Sequence, residues 1–80
     1  MPSFGGIYRG RVVSNADPMG ARRVQVNVPN VLGMDTTWAQ SCVPFGATAS
    51  GPTVGSTVWV MFEAGDPSFP VVIGAIPAGG

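Results

Sequence analysis

The residues able to do chemistry in this chain are few. Histidine and lysine are both absent, so no imidazole relay and no histidine metal site can be assembled. Cys42 is the one cysteine; it has no partner for an internal disulfide and no base near it in sequence to depress its pKa. A small residue buried in a core is the expected role. The acids are Asp17, Asp35, Glu63 and Asp66. Asp17 and Asp66 each precede a proline, where an aspartate hydrogen-bonds the turn backbone, and that role explains them. Asp35-Thr36-Thr37 is similar to the aspartic-protease triplet, but its third position is a threonine where a small residue, usually glycine, is required. No enzyme activity and no cofactor are expected.

Seven aromatic residues (Phe4, Tyr8, Trp38, Phe45, Trp59, Phe62 and Phe69) could stack on nucleic-acid bases. The basic groove that must accompany them is missing: Arg9, Arg11, Arg22 and Arg23 are offset by the four acids, giving a net charge of zero. Phosphate neutralisation is the sequence-independent source of affinity. Arg22 and Arg23 are adjacent, so on a strand they point to opposite faces. Nucleic-acid binding is not expected.

Charged residues are 10% of the chain against 45% hydrophobic, where a soluble domain usually carries about 25% charged. A surface so sparsely charged is poorly defended against association, which favours burial against partners. Eighty residues make one domain, residues 1–80 with a core over about 7–76, because a chain this short buries about 60% of its unfolded surface. No apolar stretch is long enough to span a bilayer, and the opening Met-Pro-Ser-Phe-Gly-Gly carries no secretory pattern. Stable membrane association is not expected.

The elements that must position these residues are strands. Thr57 to Ile76 reads as a hairpin. Val58, Val60 and Phe62 alternate with Trp59, Met61 and Glu63, the period of a strand with one face in a core. Gly65-Asp66-Pro67 turns the chain, and the unbroken run Val71–Ile73 fits a strand covered on both faces. Ahead of the hairpin, Ile7–Val13 puts Arg9 and Arg11 on one face and Tyr8, Gly10 and Val12 on the other, with Gly10 marking a bulge or bend. Asn15–Gly20 is a turn. Arg23–Val28 alternates without exception and sends Val24, Val26 and Val28 inward. Pro29 ends that strand, 30–37 is a loop, and Thr37–Pro44 is a strand whose buried face is ambiguous between Trp38, Gln40, Cys42 and Ala39, Ser41, Val43. Phe45–Val54 is a loop and Pro77–Gly80 a frayed tail. Clustering of Gly and Pro between apolar alternating runs marks an all-β fold. Five strands without a convincing helix suit a small closed barrel of the oligonucleotide/oligosaccharide-binding (OB) type, with an SH3-like barrel as the alternative.

Gly10-Arg11-Val12-Val13, Asn15-Ala16-Asp17-Pro18, Gly20, Arg23-Val24-Gln25-Val26, Trp38-Ala39, Cys42-Val43-Pro44, Pro52, Val54-Gly55, Val58–Glu63, Gly65-Asp66-Pro67 and Pro70–Gly74 follow one another in an order that resembles the OB-fold domain of phage baseplate hub and spike proteins. That group includes the Vgr-type spikes of type VI secretion and the baseplate assembly protein V group. The resemblance covers about Ile7–Ile76. It implies a structural part in the virion tail baseplate: a homo-oligomer, a trimer favoured, joining the hub of the tail tube to a membrane-piercing spike. Many relatives continue into a β-helical needle and some carry a lysozyme domain; here the spike is expected to be a separate polypeptide. Trp59, Met61, Tyr8, Arg9, Phe45 and Met34 are the candidate interface residues. A single-stranded nucleic-acid or oligosaccharide-binding module is the alternative.

Overall fold

The computed structural model describes residues 3–43, 45–46 and 52–77. Five strands close into a barrel: β1 (Tyr8–Ser14), β2 (Val24–Asn27), β3 (Thr37–Ser41), β4 (Thr57–Phe62) and β5 (Pro70–Ala75). Their order around the ring is β1, β2, β3, β5, β4. A ring with an odd number of strands cannot be antiparallel throughout, so at least one neighbouring pair must run parallel. That pair is β3 and β5, joined at Gln40↔Val71 and Ser41↔Val72. The expected five-stranded OB barrel is therefore the observed architecture, with helix among the described residues confined to the turns Pro29–Leu32 and Glu63–Gly65.

Alternation decides what fills the barrel. Val24, Val26 and Val28 lie 0–1% exposed, Val58 and Val60 are fully buried, and Phe62, Val12, Ala39 and Val72 complete the core. Each valine so buried contributes about 1.5–3 kcal/mol relative to exposure. Ala39 settles the ambiguous third strand: its small side chain points inward, and Trp38 faces outward, half-buried.

Several expectations are corrected. Gly10 does not mark a bulge; the register of β1 shifts between Val12 and Ser14 instead. A Cβ on Gly10 would lie 2.9 Å from Val60 Cγ2 and 3.3 Å from the Asn27 carbonyl oxygen, so glycine here lets the opposite wall approach. Within the described chain β5 is not covered on both faces: Val72 is buried, but Ile73 is 39% exposed. The register passes from Val60↔Val72 to Trp59↔Gly74, leaving Ile73 as an extra residue bulged out of the ladder. Pro29, expected to end the second strand, and the start of the expected loop 30–37 make one helical turn, Pro29–Leu32. Proline's fixed φ suits a first helical position, and Val31 and Leu32 pack against the core. β3 ends at Ser41, so Cys42 lies beyond it and is exposed; its expected place in the core is wrong. Of the expected Phe45–Val54 loop and Pro77–Gly80 tail, residues 47–51 and 78–80 lie outside the described residues, as does position 44, the expected end of the third strand.

Strand directions put the connections at two ends. The connections 15–23 and 42–56 lie at one, tied by Asn15 Nδ2 donating to the Pro52 carbonyl at 3.3 Å. Residues 3–7, 28–36 and 63–69 lie at the other, where the Phe4 amide donates to the Gly65 carbonyl at 2.9 Å. They are called the Asp17 end and the Phe4 end below.

Candidate functional site

Among the described residues no group of three His, Cys, Asp or Glu comes together. Asp35-Thr36-Thr37 is built into the connection entering β3. The Asp35 amide donates to the Leu32 carbonyl at 3.1 Å, Thr36 Oγ1 accepts from Gln25 Nε2, and the Asp35 carbonyl accepts from Asn27 Nδ2. What the barrel offers is surface.

On the outer wall, register places Arg9 of β1 opposite Trp59 of β4. The Arg9 guanidinium carbon lies 4.9 Å from the indole centroid, within the range of a cation–π contact. Met61, two residues along, is 43% exposed. These three expected interface residues thus form one patch.

The other three do not join it. Tyr8 turns inward: its ring sits 5.6 Å from Phe62 and 6.4 Å from Phe4, and its hydroxyl donates to the Gly5 carbonyl at 2.9 Å. Phe45 and Met34 are both fully exposed, the first at the Asp17 end and the second at the Phe4 end. Each has apolar company. Met19, Val43 and Val54 stand exposed at the Asp17 end, and Ile7 and Phe69 at the Phe4 end.

A second surface feature escaped sequence reasoning. Arg23 lies over Trp38 at 5.4 Å, mirroring Arg9 over Trp59. Beside it, where β3 and β5 pair over two positions only, a groove of about 210 Å³ opens between Trp38 and Gln40 on one side and Glu63, Phe69 and Val71 on the other. The signal was Trp38: once Ala39 is placed inward, its neighbour must stand on the outer wall.

Arg23 is held from behind. Asp17 accepts hydrogen bonds from the amides of Met19, Ala21 and Arg23 and from Arg23 Nε and Nη2, at 2.9–3.1 Å. Its side chain is 3% exposed. The Arg23 side-chain hydrogen bonds hold the Asp17 carboxyl well below the usual carboxylate range, and the same contact raises Arg23.

No curated protein matches the sequence at a significant level. The family model described as the type VI secretion system/phage-baseplate injector OB domain matches residues 8–76, from the first residue of β1 to just past the end of β5. The closed five-stranded barrel agrees with that description, and so the chain belongs to the injector OB-domain family of phage baseplates and type VI secretion systems.

Proposed function

We propose that this chain is a Vgr-like adaptor in the virion tail baseplate, joining the hub at the end of the tail tube to a membrane-piercing spike, and working as a homo-oligomer, a trimer favoured. Membership of the baseplate family supports a structural part. One observation carries the finer reading: a closed barrel presents a separate apolar set at each of its two ends, Met19, Val43, Phe45 and Val54 at one and Ile7, Met34 and Phe69 at the other. Exposed large apolar side chains in separate groups mark separate contacts, and a ring of strands without free edges is a stiff body between them. The wall patch of Arg9, Trp59 and Met61 remains for contacts between copies, since aromatic, methionine and arginine side chains are enriched in interface cores.

Co-expression with the hub and spike proteins of the same tail tests this. The expected result is a complex of defined mass containing all three; a chain that purifies alone, or that retains labelled single-stranded DNA in low salt, removes the proposal. Trp59→Ser should leave a folded domain and weaken its self-assembly. Unfolding of the isolated chain by that change would instead assign the Trp59 face to the barrel's own closure.

A further inference from the structure

The ring is closed, yet one of its seams is short. β3 and β5 pair only at Gln40↔Val71 and Ser41↔Val72, and the Cys42 amide donates to the Val72 carbonyl at 2.9 Å. Along a strand, successive residues turn their backbone N–H and C=O to opposite neighbours. With Cys42 facing β5, Gln40 and then Trp38 face it too, while Thr37 and Ala39 face β2, whose register runs through Val24↔Ala39 and Val26↔Thr37 without a shift. Trp38 therefore aims both backbone groups at the β5 side, where nothing is placed to meet them. The ladder donor due opposite its carbonyl is residue 70, a proline, which has no N–H. Before it the chain curls into its own turn, where the Phe69 amide donates to the Asp66 carbonyl at 3.0 Å and the Ser68 amide to Asp66 Oδ1 at 2.9 Å. Among the described residues neither the Trp38 N–H nor its C=O has a hydrogen-bond partner.

These two groups open onto the groove of about 210 Å³ beside Trp38. Arg23 and Glu63 both line it, one charge of each sign, so charge does not select its occupant. The backbone does. A donor and an acceptor on one residue of an unfinished ladder match the C=O and N–H of one residue in an extended peptide. Trp38 and Phe69, the latter 57% exposed, flank the opening and suit an apolar side chain of that peptide. The volume is below the roughly 300–1,000 Å³ of small-molecule pockets, and fits one side chain. We infer that the open part of the seam receives an extended segment of the partner that docks at the Phe4 end, adding a short strand beside Thr37–Ala39 where β5 does not reach. A second copy of this chain has no strand to lend, since its five strands are committed to their own ring. The inference rests on the adaptor reading and names the contact that one of the two partners makes.

Nuclear magnetic resonance of the isolated chain, with a capped Thr-Val-Thr-Val-Thr peptide as probe, tests it. Without peptide the Trp38 amide should exchange with solvent at least about 100-fold faster than the Gln40 amide, which sits in the ladder; equal protection overturns the inference. With peptide at about millimolar concentration the Trp38 amide and indole resonances should shift and exchange at Trp38 should slow; no change overturns it. The same peptide with every amide N-methylated should bind at least about tenfold more weakly, and equal binding overturns the backbone match. Phe69→Ser, at an exposed position, should weaken the unmodified peptide about fivefold, and unchanged affinity overturns the apolar half of the match. Circular dichroism checks the fold of that variant, and the N-methylated peptide probes the same groove on the unaltered chain. In a complex with the hub and spike proteins the Trp38 amide should be protected without added peptide; free exchange there overturns the inference. If no such complex forms, the adaptor reading fails, while the peptide measurements still decide whether the seam takes a strand.

Discussion

The connections after β1 and after β4 use the same dipeptide and treat its charge in opposite ways. In Asp17-Pro18 the Met19 amide donates to Asp17 Oδ1 at 2.9 Å, and in Asp66-Pro67 the Ser68 amide donates to Asp66 Oδ1 at 2.9 Å. The local turn is the same because an aspartate caps its own backbone two residues on and proline presets the following φ. The difference comes from further along the chain. Six residues after Asp17, the Arg23 guanidinium forks onto both carboxylate oxygens at 2.9 Å and closes the connection into a clasp. Asp66 has no such arginine and stays exposed. A dipeptide sets the turn, and a distant partner decides whether its charge becomes structure or surface.

Asp17→Asn set against Asp66→Asn gives the largest expected effect. Asparagine keeps the Oδ1 acceptor of either turn, so Asp66→Asn should change stability by no more than about 0.5 kcal/mol, as for an ordinary surface change. Asp17→Asn turns a carboxylate that accepts a fork into an amide that faces it with donors, and should lower the denaturant midpoint by clearly more. The pH dependence has a definite sign. The folded Asp17 carboxyl binds its proton less readily than its ordinary value of 3.8, so its contribution is fully present above that value and is lost as pH falls below it. The gap between wild type and Asp17→Asn should hold from neutral pH to about pH 5 and shrink below 3.8. Equal losses from the two variants would mean that the arginine fork is not what separates the turns.

Much of this contrast was hidden in the sequence, for physical reasons. Strict alternation in Val24–Val28 and Val58–Phe62 reports which face is buried, and all six inward side chains of those runs are found inside. Both Asp-Pro turns were readable from the same local rule. Neither the fork from Arg23 nor the groove beside Trp38 follows from local rules, because each joins positions whose meeting depends on ring closure. Cys42 was misplaced because apolar character was read without the end of the strand, and Ile73 because a bulge breaks the period. The turn at Pro29 carried a usable signal, proline at a first helical position, but one turn leaves no period to detect. Of the expected interface residues, Arg9, Trp59 and Met61 meet because register brings β1 and β4 together; Phe45 and Met34 were chosen by type, and the ends they occupy emerge only from the strand directions.

Glycine sharpens the comparison at a smaller scale. Gly20 and Gly65 each close one of the two connections with positive φ, 67° and 74°. A Cβ on Gly20 meets nothing within 4 Å, whereas one on Gly65 would run into Ser3 Oγ and lie 3.3 Å from the Phe4 nitrogen. Gly20→Ala should therefore carry only the left-handed penalty, about 1–2 kcal/mol. Gly65→Ala should add a steric part and reach about 2–3 kcal/mol. Hydrogen exchange at the Phe4 amide, which donates to the Gly65 carbonyl, should speed up in Gly65→Ala and stay unchanged in Gly20→Ala. Equal exchange in the two would show that the segment before β1 is not fastened by this turn.

The smallest effect comes from Ala64, which adopts φ 53° inside the second connection although it has a Cβ. An alanine in that region is disfavoured by about 1 kcal/mol, and glycine removes the penalty while adding backbone freedom to the unfolded chain. The two terms nearly offset, so Ala64→Gly should raise stability by no more than about 0.5 kcal/mol, visible as a small upward shift of the thermal midpoint. The sign discriminates. A gain shows that the β4–β5 connection tolerates a strained residue and holds its shape through its neighbours, Gly65 among them. A loss larger than about 0.5 kcal/mol would mean that Ala64 itself stiffens the turn, and that this connection, like the clasp at Asp17, is held by a side chain.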